Sequence, residues 1–364
     1  MNKRLQEFDV LRVAAALGVI AIHVTAGYID KSSLAYWWNH AVRFAVPLFI
    51  VISGFLLYHT DRDAPVLSPL TFYRKRLKRI LWPFFIWSFI YCLFSAYLLK
   101  WNNPILFLVT WGKSLLWGTA YYHLYFLPII LQFYLLYPLL RRWLLKKPRQ
   151  LLAVCLLLTL ACQILLYLYL LHIISLPYRY NSLYLLSFPV WLFYFVLGMF
   201  TAYECNQCSG RAGLLMHRPI SLQTNQENRP PITLAVIWLM SLAIVILDSK
   251  LTNIQGSIVR PSVMLYTACS YFFFYALAMQ FRQKDRPWLT WISAQSFLIF
   301  LMHPFLLTIL IKLAPRLGYP SLWDGNLGLI GLYCATTAVT IAITYFVSLT
   351  PMAALLGGIR KSGR

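Results

Sequence analysis

Of the chain's 364 residues, 60% are hydrophobic and only 12% charged, with a mean hydropathy of +0.66. A soluble globular chain carries about a quarter charged residues, so a soluble domain with a large core is excluded. The formal charge of +22 would point to nucleic acid in a soluble protein, but the basic residues sit in alternate loops between apolar runs, which the positive-inside rule explains without a nucleic-acid partner.

The predicted fold is an all-α polytopic membrane bundle of about ten transmembrane helices, one for each apolar run long enough to cross a bilayer. In chain order the runs cover residues 10–28, 41–58, 80–99, 123–140, 151–172, 184–203, 232–247, 261–281, 294–313 and 327–349. A shorter run, 105–117, is broken by Trp111-Gly112-Lys113 and has the length of a re-entrant or interfacial piece. Placing both termini in the cytoplasm puts 22 of the 32 Lys and Arg residues inside and 9 outside, the remaining one being Arg12. That asymmetry sets the expected orientation. The whole chain, 1–364, reads as a single integral-membrane domain, with the polar stretch 204–231 as a cytoplasmic connector ending in Pro230-Pro231. Lys3 and Arg4 before a full-length first span read as a retained helix rather than a cleaved signal.

The first span is the most informative. Residues 8–28, FDVLRVAAALGVIAIHVTAGY, carry Arg12 near one end and His23 near the middle, with Asp9 a turn before Arg12. Eleven positions is close to three whole helical turns, so both side chains leave the same face, about 16 Å apart along the axis. Such residues are costly in lipid and face a protein interior or a wet cavity. Snorkelling by the Arg and an interhelical hydrogen bond from the His are the plain alternatives.

His123, opening HLYFLP, and His303, in FLIFLMHPF, fall at the same expected outer depth as His23. Three imidazoles also raise zinc, but they form no local ligand motif and have no acidic neighbour, so no metal is expected. Cys205-x-x-Cys208 with His217 lacks the second pair of a zinc finger. The ten Asp and Glu residues all lie at helix ends or in loops, which counts against an ion-coupled pump. FYRKRLKRILWP, residues 72–83, holds the densest positive cluster, including Arg74, Arg76, Lys78 and Arg79. It reads either as a topology anchor on anionic lipid or as a phosphate clamp, since Arg76 and Arg79 are i, i+3 neighbours that can converge on one anion. Ser53-Gly54 in PLFIVISGFLLY reads first as a close-packing site; a Ser53 hydroxyl facing a site is the sharper alternative.

These residues resemble a known family. The Arg12-x10-His23 helix, PLFIVISGFLL, YRKRLKRILWPF, HLYFL, FYFVLGMF and SAQSFLIFLMHPF resemble, in order, segments of the acyltransferase family 3 membrane proteins. Tyr125 stands in HLYFL where the family more often has Trp. The chain is similar to the short, membrane-only members. The resemblance implies an enzyme of the cytoplasmic membrane that takes an acyl group, commonly acetyl, from acyl-CoA as co-substrate. It implies transfer to a hydroxyl of a surface polysaccharide or its lipid-linked precursor. By position it makes His23 catalytic, with Arg12 its partner, and Arg76 and Arg79 the CoA-side cations, with Arg74 and Lys78 beside them. His123, His303 and Ser53 are then candidates for the acceptor side. A glycan or acyl-group transporter or flippase is the rival reading, and a binding or sensory module the weakest.

Overall fold

The structure, a computed structural model, describes residues 5–61, 69–101, 103–177, 181–207, 232–280 and 286–360. Among the described residues the chain is helical, without strands. Eight helical stretches are long and apolar enough to cross a membrane, and large apolar side chains such as Leu93, Leu157, Met240 and Leu327 lie exposed on them. In water that surface would be a liability; in lipid it is the solvent-facing surface. The chain is a multi-pass membrane protein.

The helices are α1 Gln6–Ala26, α2 Ser33–Ala41, α3 Ala45–Asp61, α4 Pro69–Leu99, α5 Pro104–Trp117, α6 Phe126–Lys146, α7 Pro148–Leu170, α8 Asn181–Leu186, α9 Leu192–Gln207, α10 Ile232–Thr252, α11 Pro261–Met279, α12 Pro287–Arg316 and α13 Gly325–Ser348. Proline opens five of them, where its missing N–H costs no hydrogen bond. Several predicted boundaries move, the start of α4 furthest, and one run is interrupted. The helix expected at residue 80 begins at Pro69, so the basic cluster forms its first turns. The run 184–203 is broken by a 3-10 turn at Phe188–Val190, where Pro189 interrupts α-helical bonding. The connector 204–231 beyond Gln207, with Cys208 and His217, lies outside the described residues, as do Lys3 and Arg4.

Backbone contacts divide the chain into two compact units made of interleaved segments. One contains Met1–Ala15, Arg43–Pro69 and Leu135–Arg286. Here α3 and α9 touch backbone to backbone. A Cβ on Gly54 would stand 2.0 Å from the Phe195 carbonyl oxygen, and one on Gly198 would stand 1.9 Å from that of Val51. The expected close-packing role of Gly54 is therefore met, with Gly198 as its counterpart. Two buried guanidiniums in this unit hold the connection between α10 and α11: Arg43 donates to the Ser257 carbonyl at 2.8 Å and Arg260 to that of Ile254 at 3.0 Å. Arg260 also pairs with Asp248 at 3.3 Å, whose carboxylate accepts the Tyr167 and Ser262 hydroxyls.

The other unit contains Ala16–Val42, Leu70–Tyr134 and Pro287–Arg364. Its short helix α5 is sharply delimited. The Asn103 side chain accepts from the Ile105 and Leu106 amides at 2.9 and 3.2 Å, and Gly118 ends the helix at φ 63°. After α13 the chain turns back and is held by side chains. The Gln295 amide exchanges two hydrogen bonds with the Ile359 backbone, at 2.6 and 2.9 Å, and the Trp87 indole donates to the Leu356 carbonyl at 3.0 Å.

Candidate active site

His23, His123 and His303 come together within the second unit. His303 lies on α12 and is fully buried, and His123 is 1% exposed in the turn between α5 and α6. His23, near the end of α1, keeps part of its surface. The His23 and His303 rings stack with centroids 5.3 Å apart, and His303 meets His123 edge-on at 5.9 Å. Three tyrosines complete the cluster. Tyr122 packs on His23 at 4.7 Å and on Tyr121 at 4.6 Å; Tyr91 stacks on Tyr121 at 4.3 Å and meets His123 at 5.2 Å.

His303 owes its position to Pro304. A proline inside a helix lacks the N–H its turn needs and opens the backbone ladder. The Tyr91 hydroxyl, carried by α4, enters that opening. It donates to the Leu301 carbonyl at 2.8 Å and accepts from the Phe305 amide at 3.1 Å, the two groups that a regular helix bonds to each other. Tyr121 ties to the next turn through the Thr308 hydroxyl at 2.6 Å, and Thr308 donates to the Pro304 carbonyl at 2.8 Å. The groups that support the helix at Pro304 thus come from α4, α12 and the turn before α6.

The nitrogens of the cluster are not equivalent. The Nδ1 of His303 faces the Ile299 carbonyl at 3.1 Å. A carbonyl only accepts, so Nδ1 carries the proton, and in the neutral ring Nε2 is left as an acceptor. That Nε2 and both ring nitrogens of His123 are buried without a hydrogen-bond partner. Burial pushes the His123 imidazole well below its usual pKa, and the facing imidazoles of His303 and His23 push it the same way. Among the described residues no group of three His, Cys, Asp or Glu side chains is arranged to hold a metal ion.

The basic cluster belongs to the same unit. Arg74, Lys78 and Arg79 are exposed and Arg76 is half-buried on the first turns of α4. From Arg79 to Tyr91 the helix rises about 18 Å, and from Arg76 about 22 Å. Arg12 lies in the first unit, half-buried on the same α1 helix as His23. Ser53, on α3, also belongs to the first unit. Tyr91, Tyr121, Tyr122 and Thr308 were not legible as site residues. The one signal for them was Pro304 inside an apolar run, which demands a polar partner from elsewhere.

The family model for the acyltransferase domain of acyltransferase family 3 matches residues 5–345. The chain belongs to acyltransferase family 3. Membership of this family makes the protein a membrane acyltransferase in general terms. No curated protein and no solved structure matches the chain. The family match covers every helix that builds the histidine cluster and the basic turns of α4.

Proposed function

We propose that this acyltransferase family 3 protein is an O-acyltransferase of the cytoplasmic membrane, with both termini inside. It moves an acyl group, acetyl in the first instance, from cytoplasmic acyl-CoA to a hydroxyl of a cell-surface glycan or its lipid-linked precursor. The observation that carries this reading is α4. One helix bears Arg76 and Arg79 at one end and, about 18–22 Å away, the Tyr91 hydroxyl that props the histidine cluster.

CoA is polyanionic and cannot enter lipid, so its phosphates need cations at the membrane face, and guanidinium groups bind them with paired, charge-assisted hydrogen bonds. Arg74 and Lys78 add charge beside that pair. The uncharged pantetheine arm then spans the distance to the cluster. His23 is the base. Its partly exposed ring takes the proton from the acceptor hydroxyl as that oxygen attacks the thioester carbon. His303, stacked behind it, fixes the ring plane. His123 and His303 border the acceptor side, and Ser53 has no part in the step as written. An acyl-imidazole on His23 is the alternative covalent route.

The test is mass spectrometry of envelope glycans from cells with and without the protein, paired with acyl-CoA turnover by the purified chain. A lost acyl mass together with CoA release supports the proposal. Glycan movement without acyl-CoA consumption would identify a flippase instead.

A further inference from the structure

We propose that His123 is a further catalytic residue, whose ring N–H receives the acyl carbonyl oxygen as negative charge develops on it. This rests on the acyl-transfer reading above and gives His123, an acceptor-side candidate from the sequence, a role toward the acyl oxygen. Transfer from a thioester passes through a tetrahedral oxyanion, and a preorganised donor aimed at that oxygen is the largest single contribution in such sites.

Tyr122 is exposed and so is not a buried, preorganised donor; the remaining donors in the cluster can be taken one at a time. His303 uses its proton on the Ile299 carbonyl, so its other nitrogen can only accept. The Tyr91 hydroxyl is committed to Leu301 and Phe305, and that of Tyr121 shares its hydrogen bond with Thr308. His23 needs a free lone pair to act as base. His123 is different: both nitrogens are buried and unpartnered, yet a neutral imidazole always carries one N–H. The Leu301 carbonyl stands near this ring and already accepts from Tyr91; neither ring nitrogen meets it, or any other acceptor, in hydrogen-bond geometry. A buried donor left without a partner is costly and calls for an explanation, and a bound acyl oxygen supplies one. Burial keeps the ring neutral, so it donates a hydrogen bond without surrendering its proton.

The step balances. The acceptor O–H proton passes to His23, and the alkoxide oxygen bonds to the thioester carbon. The C=O electron pair moves onto oxygen, facing His123. Collapse re-forms the carbonyl, breaks the C–S bond and releases CoA thiolate, which takes the proton back from His23.

The experiment uses the full chain in lipid nanodiscs, radiolabelled acetyl-CoA and a membrane glycolipid extract as acceptor source. His123→Ala should lower transfer roughly 100-fold, the loss typical of one oxyanion donor, with KM for acetyl-CoA within about threefold of the parent. His123→Gln, which restores an N–H but cannot act as acid or base, should recover at least about tenfold of that loss. The Gln variant fills the buried volume and is read alone if the Ala variant does not accumulate. Transfer by His123→Ala within about threefold of the parent overturns the proposal, as does a folded Gln variant no better than Ala. His23→Ala is run alongside: if it retains full transfer, the acyl-transfer reading itself is wrong, whereas loss in His23→Ala without loss in His123→Ala removes only the role of His123.

Discussion

The His23 and His303 imidazoles stack with ring centroids 5.3 Å apart, one carried by α1 and the other by α12, one residue before Pro304. The stack fixes the plane of the base, while the acceptor nitrogen of His303 faces the buried interior. His303→Phe keeps an aromatic face but loses the nitrogen, and His303→Ala loses both. Steady-state transfer should fall about tenfold for Phe and further for Ala, mainly in kcat. Equal rates for the two variants would show that the ring face does not matter.

Tyr91→Phe removes one oxygen atom. It leaves the Leu301 carbonyl and Phe305 amide without their bridge at the Pro304 break. The expected destabilisation is about 1–3 kcal/mol, read as a lower thermal midpoint in detergent. Transfer should fall severalfold because His303 loses its support. An unchanged midpoint and rate would mean that the helix at Pro304 needs no bridge.

Arg76→Ala and Arg79→Ala should each raise KM for acetyl-CoA roughly tenfold, with kcat nearly unchanged, since charge-assisted bonds to phosphate bind substrate and transition state alike. The weakening should shrink in high salt, as exposed charge interactions are screened. If the cluster is only a topology anchor, KM will hold and the loss will appear as less inserted protein.

Gly198→Ala places a methyl group 1.9 Å from the Val51 carbonyl oxygen. No side-chain rotation relieves a clash with backbone, so α3 and α9 must separate, at a cost of about 1–3 kcal/mol or more. Less folded protein on size-exclusion chromatography is the expected result. Gly112→Ala, where a Cβ meets open space, serves as the matched control.

Much of this architecture was readable from the chain. Apolar run length reports directly on crossing a bilayer, and the Gly54 packing site follows from small residues in an apolar helix. The histidine cluster was legible only in that each His sat in or beside an apolar run, and the structure brings the three rings together. The start of α4 was missed because its basic first turns look like a loop to a hydropathy window. Tyr91 was missed for a different reason. Its hydroxyl answers a backbone opening more than two hundred residues away, and no local pattern announces such a pairing. The division of α1 between two compact units was also out of reach, since it follows from which distant segments pack together.

The most direct measurement is transfer of radiolabelled acetyl from acetyl-CoA into the membrane glycan fraction by the parent chain and by His23→Ala at matched, folded protein levels. If the His23 imidazole is the base, the variant should lose at least roughly 100-fold in rate while still binding acetyl-CoA. Undiminished transfer by His23→Ala would contradict it.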